Sequence, residues 1–125
     1  MLRECARVLR PAGRLAALVI EAAPELSYQE EITAVELGPS RVLAEASLVD
    51  LVAVAGFEVK RCDDVTEEFR ATVAAMRRTL LTGEAELREA EGDAAYEEES
   101  GKKARMLEGI DSGLLRRTLV LAQRR

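Results

Sequence analysis

The feature that most constrains this chain is a helix stop followed by a buried strand, with no glycine-rich turn to accompany them. Leu2, Cys5, Ala6 and Leu9 recur at helical spacing, and Leu9-Arg10-Pro11-Ala12-Gly13 ends that pattern. Leu15-Ala16-Ala17-Leu18-Val19-Ile20 then runs without a polar residue, as expected of a strand that helices cover on both faces. This is the grammar of an open α/β domain. Such a domain builds its nucleotide site at the first strand, on a Gly-rich turn that opens a helix. Here Gly38, Gly56, Gly83 and Gly92 stand alone. The chain reads as entering a sheet already half built, so binding and catalysis by it alone are not expected.

Pro24 and Pro39 frame a stretch that holds a short helix through Tyr28–Leu37. Ser40 is placed to cap a further helix, whose Leu48, Leu51, Val52 and Ala55 form one stripe. Gly56 ends it, and Phe57-Glu58-Val59-Lys60-Arg61 alternates as a half-covered strand does. Thr66 is the expected N-cap of the next helix, with Glu67 and Glu68 in its first turn and Phe69, Val73, Met76 and Leu80 on its buried side. Thr82-Gly83 interrupts before a segment through Leu87, and Gly92-Asp93 starts a helix with Tyr96, Leu107, Ile110 and Leu114 on its apolar face. Gly113 breaks that pattern, and Arg117–Ala122 closes the chain as a strand. The order is α-β-(α)-α-β-α-α-β, one domain over 1–125 with 66–112 as a helical cap or insertion.

Composition narrows the partners. A chain of 125 residues that is 48% hydrophobic and 33% charged is globular rather than disordered. A net charge of −5, with no basic cluster interleaved with aromatics, argues against nucleic acid. Cys5 and Cys62 stand far apart in a chain without histidine, so no metal site is expected, and their isolation fits a reducing compartment. No apolar stretch approaches a membrane span and no basic leader opens the chain, so a cytoplasmic protein without membrane contact is expected. The acids of Glu84–Glu99 read as a solvated helix face. Glu98 with Lys102 and Glu99 with Lys103 are well-oriented pairs on it.

Glu4-Cys5-Ala6-Arg7-Val8-Leu9-Arg10-Pro11-Ala12-Gly13-Arg14-Leu15 resembles the segment leading into the fifth strand of class I S-adenosylmethionine-dependent methyltransferases, whose pattern is roughly R-V-L-[RK]-P-G-G-R-L. Ala12 stands where that pattern has its first glycine. Ala55-Gly56-Phe57-Glu58-Val59 is similar to the A-G-F that opens the sixth strand, and Leu114–Arg125 to the final strand. The resemblance implies a partial Rossmann-like sheet of about three strands, the last antiparallel between the other two, with a helical insertion. It also implies the small-molecule branch of the family. The strands that hold S-adenosylmethionine in the family have no counterpart here, so no cofactor-binding residue is assigned and this chain is not expected to hold the cofactor alone.

Methyl transfer in line needs donor and acceptor held about 3 Å apart, often with a base to take the acceptor's proton. Glu21, just past the first strand, is the candidate catalytic carboxylate, set against a solvated loop acid. Tyr28 and Glu31, at the same carboxyl edge, are candidate substrate contacts. Phe69, Met76 and Tyr96 are candidate linings of an acceptor pocket, though their spacing is equally that of core packing. Cys62 reads as an edge thiol rather than a nucleophile, and Asp63 and Asp64 as turn residues.

Three readings of the whole chain follow. It is the acceptor-side, C-terminal portion of a small-molecule methyltransferase, inactive without a complementary chain that carries the missing strands. Alternatively it is a non-catalytic homo-oligomeric binding or structural module derived from that fold. Or it is a piece of a longer polypeptide. The edge of the Leu15–Ile20 strand, apolar and in need of a pairing partner, favours the first.

Overall fold

The structure, a computed structural model, describes residues 1–39 and 42–125. Among the described residues there are six helices and three strands: α1 (Leu2–Val8), β1 (Arg14–Ala22), α2 (Tyr28–Leu37), α3 (Leu48–Val54), β2 (Phe57–Asp64), α4 (Thr66–Thr82), α5 (Glu84–Glu91), α6 (Asp93–Asp111) and β3 (Leu115–Arg124). The strands form one sheet in the order β1-β3-β2, with β3 antiparallel to both neighbours. The partial Rossmann-like sheet with its last strand inserted antiparallel is therefore present.

Local signals account for most boundaries. Ser27 and Glu30 make a reciprocal capping box at the start of α2, with bonds of 3.1 and 3.0 Å. α3 begins after Ser47, whose side chain accepts from the Asp50 N–H at 3.2 Å. Ser40, expected as that cap, lies outside the described residues. Gly83 separates α4 from α5, so the insertion contains three helices rather than two long stretches.

Thr66 is not the cap of α4 but its first residue. Val65 precedes it with no side-chain bond, and the Asp64 carboxylate takes the Thr66 N–H at 2.9 Å instead. The Thr66 hydroxyl accepts the Arg117 N–H at 3.1 Å, which ties the start of α4 to β3.

Alternation puts odd residues of β1 and even residues of β3 on one face of the sheet, here called the Glu21 face. There α1 and α3 cover a cluster of Val52, Phe57, Val120 and Ala122. On the opposite, Leu18 face, α2, α4 and α6 bury Ala34, Phe69, Val73, Ile110 and Leu115 with Ile20 and Ala22 against them. This second cover reaches only the carboxyl half of β1. Ala16 is exposed and Leu18 is 54% exposed. The expectation of a strand covered on both faces thus fails at its amino half, because no described helix lies over it.

α6 approaches β3 closely enough to require glycine. A Cβ at Gly109 would collide with Leu115 Cδ1 and come within 2.9 Å of its Cγ. The turn into β1 carries the opposite case: Ala12 takes φ 66°, a left-handed conformation that suits glycine.

Candidate functional site

The carboxyl ends of β1 and β2 meet the beginning of β3, and register brings four polar groups together there. Glu21 lies opposite Arg116, and Thr118 lies opposite Asp64 on the other side of β3. All four belong to the Glu21 face. Arg116 Nε donates to Glu21 Oε1 at 2.9 Å, and the Thr118 hydroxyl donates to the same oxygen at 2.9 Å. The Glu21 side chain is 16% exposed and that of Arg116 37%. Thr118 is buried.

Asp64 is more open. The Thr66 hydroxyl and then its N–H hold the Asp64 carboxyl below the usual carboxylate range, and the charge of Arg116 adds to this. One oxygen of Glu21 is thus committed twice, while its second oxygen and the terminal nitrogens of Arg116 make no side-chain bond among the described residues. A part-buried carboxylate–guanidinium pair with spare donors and acceptors is able to hydrogen-bond a polar ligand.

Glu21 itself is not past the strand. β1 continues through Ala22, because pairing with Leu115 and Arg116 extends it. Apolar patterning alone begins β3 at Arg117, whereas the strand starts at Leu115 and includes Arg116. Aligning an antiparallel strand that starts at Leu115 against β1 is the signal that places Arg116 opposite Glu21.

The other candidates are dispersed. Tyr28 is the first residue of α2 and 79% exposed, and Glu31 sits one turn later on the same helix, half-buried. Met76 is exposed on α4. Phe69 is buried beneath the Arg117 guanidinium, 4.9 Å from its ring centroid, and Arg117 belongs to the Leu18 face. Phe69 and Glu21 are therefore on opposite sides of the sheet.

Tyr96 is buried as well. Its hydroxyl donates to the Leu80 carbonyl at 3.1 Å and its ring packs under Arg88 at 4.5 Å, binding α4, α5 and α6 together. None of Glu21, Tyr28, Glu31, Phe69, Met76 and Tyr96 lines any of five clefts formed by the described residues.

Neither strand-to-helix connection offers a cofactor cradle of the glycine-rich kind. The residues between β1 and α2 are Ala23, Pro24, Glu25, Leu26 and Ser27, and only Val65 joins β2 to α4. Among the described residues no group of His, Cys, Asp and Glu is arranged to hold a metal ion, and no helix is long and apolar enough to cross a membrane.

No protein-family model matches the sequence, and no curated protein matches it either. Solved structures do match. A protein from Galdieria sulphuraria, provisionally assigned as a sarcosine dimethylglycine methyltransferase, superposes with a TM-score of 0.80 at 17% identity, over 98% of this chain and 45% of that one. A phosphoethanolamine N-methyltransferase 2 from Haemonchus contortus, solved with phosphomonomethylethanolamine and S-adenosylhomocysteine, gives 0.76 at 14%, over 98% and 29%. A mycolic acid cyclopropane synthase in its apo form gives 0.80 at 14%, over 98% and 51%.

This chain has the fold of part of an S-adenosylmethionine-dependent methyltransferase. It spans about half the length of these neighbours or less. Their names cover methyl transfer and cyclopropane formation, so the methyltransferase fold does not by itself fix a reaction.

Proposed function

We propose that this chain is the acceptor-side, C-terminal portion of a methyltransferase acting on a small molecule, and that it does not catalyse by itself. The observation that carries this reading is the match over 98% of this chain to only 29% to 51% of its neighbours. The glycine-free turns after β1 and β2 support the same conclusion: S-adenosylmethionine is held elsewhere in the complete protein.

In this reading Glu21 and Arg116 orient the acceptor at the carboxyl edge of the sheet. Tyr28 and Glu31, in the first turn of α2, contact it from outside, while Met76 lies on α4 over the opposite face and takes no part. Phe69 and Tyr96 stiffen the wall from behind, and 66–112 serves as the cap. The complementary portion supplies the cofactor site, and the complete protein works in the cytoplasm.

The test is transfer of a labelled methyl group from S-adenosylmethionine to a panel of small amines, carboxylic acids and phosphorylated amines. The isolated chain transfers none. Turnover by the isolated chain contradicts the proposal. A second reading, a non-catalytic homo-oligomer, pairs the same outer edge of β1 with that of another copy. Light scattering separates the two, since the homo-oligomer forms from the purified chain with no other polypeptide present.

A further inference from the structure

A cleft of about 470 Å³ opens between the last turn of α2 and the middle of α6. That size falls within the roughly 300–1,000 Å³ of small-molecule sites. Both helices cover the Leu18 face, so the cleft is separate from the Glu21–Arg116 pair on the other side of the sheet. Leu37 and Met106 form its apolar floor, and both also pack against the core cluster beneath. Gly38 fixes one rim: a Cβ there would stand 2.8 Å from Val42 and 3.0 Å from Leu115, so this end of α2 is pressed against the core.

The opposite wall is cationic. Lys102, Lys103 and Arg105 all line the cleft from α6, within one turn of one another. Their charge is only loosely answered. Lys102 stands 3.5 and 3.7 Å from Glu98 and Glu99, and Lys103 stands 3.6 Å from Glu99, all longer than a hydrogen bond of about 2.7–3.2 Å. Arg105 is in no ion pair among the described residues. A Cβ at Gly101 would come 3.0 Å from a terminal nitrogen of Arg105, so the bare backbone one turn earlier lets the guanidinium lie along α6. α2 has no basic residue in its last turn, and the partial negative charge of its final carbonyls draws the α6 cations toward the cleft.

We infer that the α2–α6 cleft binds a small molecule that carries a carboxylate or phosphate group on an apolar body. Its head takes charge-assisted hydrogen bonds from Lys102, Lys103 and Arg105, and its hydrocarbon part lies on Leu37 and the adaptable Met106. Three cations within one turn repel each other, and a bound anion relieves that repulsion. A large polyanion is a poor occupant, because Glu36 lines the α2 side, Glu98, Glu99 and Glu108 flank the cations on α6, and the chain carries a net charge of −5. The site is complete within this chain, so it stands whether or not a complementary portion supplies a cofactor.

The experiment follows the backbone amide resonances of the full chain during titration with hexanoate, hexyl phosphate, inorganic phosphate and hexylamine. One of the two hexyl anions is expected to saturate, shifting the amides of 36–38 and 99–106, and the tighter of the two tells a carboxylate ligand from a phosphate one. Inorganic phosphate is expected to bind at least about tenfold more weakly, for want of the apolar contact. Hexylamine is expected to leave the cleft unchanged. Lys102→Gln combined with Arg105→Gln alters two exposed side chains and is expected to weaken binding about tenfold. Glu36→Gln removes a like charge and is expected to tighten it about twofold. Shifts that do not saturate or lie elsewhere, hexylamine bound as well as the anions, inorganic phosphate bound as tightly as hexyl phosphate, or an affinity that the double variant leaves unchanged overturns the inference.

Discussion

Glu21 on β1 and Arg116 on β3 face each other across the ladder and share a bond of 2.9 Å, and the carboxylate oxygen that makes it also takes the hydroxyl of buried Thr118. Three side chains are thus held by one atom. Replacing Glu21 with Ala strands a buried hydroxyl and a half-buried guanidinium together, at an expected cost of about 2 kcal/mol. Thr118→Val removes one donor and costs about 1 kcal/mol. Urea unfolding of both variants and the double variant is expected to give a coupling near 1 kcal/mol, on the order typical of hydrogen-bonded neighbours. Additive losses would show that the shared bond contributes nothing.

The left-handed Ala12 gives a prediction of opposite sign. An L-residue with a Cβ is disfavoured there by about 1–2 kcal/mol, partly offset by the extra freedom of glycine in the unfolded chain. Ala12→Gly is expected to stabilise the protein by roughly 0.5–1 kcal/mol. A lower urea midpoint for the variant would contradict a strained turn at φ 66°.

Gly109 is where α6 meets β3. Gly109→Ala places a methyl group into the Leu115 side chain and is expected to cost about 1–3 kcal/mol. Combining it with Leu115→Val frees space at the same spot, so the pair is expected to lose less than the sum of the single changes. Strict additivity would mean that the two residues do not collide.

The sequence was most legible where backbone chemistry is local. Pro11 with Gly13, then Gly56, Gly92 and Gly113, fall at element boundaries because few other residues tolerate those backbones. The ends of β1 and β3 were not legible, since Ala22 and Leu115 become strand only by pairing with each other across the whole chain. For the same reason the place of Glu21 after an apolar run is legible in the sequence, while the position of Arg116 opposite it is not. The Leu15–Ile20 run could not distinguish a strand already covered from one awaiting cover, because both read as continuous apolar residues.

Asp64 predicts a pH dependence. Its carboxyl titrates below the usual range because Thr66 hydrogen-bonds the ionised form. A carboxylate lowered on folding stabilises the protein above its unfolded value, about 3.9, and that stability is lost as pH falls through the lower folded value. Asp64→Asn is therefore expected to be less stable than the parent at neutral pH, with the gap closing as pH falls below the ordinary aspartate range. The gap is small, since the group is exposed and screened. A gap that widens in acid would contradict the bond to Thr66.

An acceptor-side portion of a methyltransferase without its cofactor site, as proposed for this chain, holds no S-adenosylmethionine. Calorimetric titration of S-adenosylmethionine and S-adenosylhomocysteine into the purified chain, with its mass in solution measured in the same buffer, tests it most directly. No heat of binding up to millimolar ligand is expected. Micromolar binding would contradict the claim, because a complete cofactor pocket would then exist without a glycine-rich strand turn.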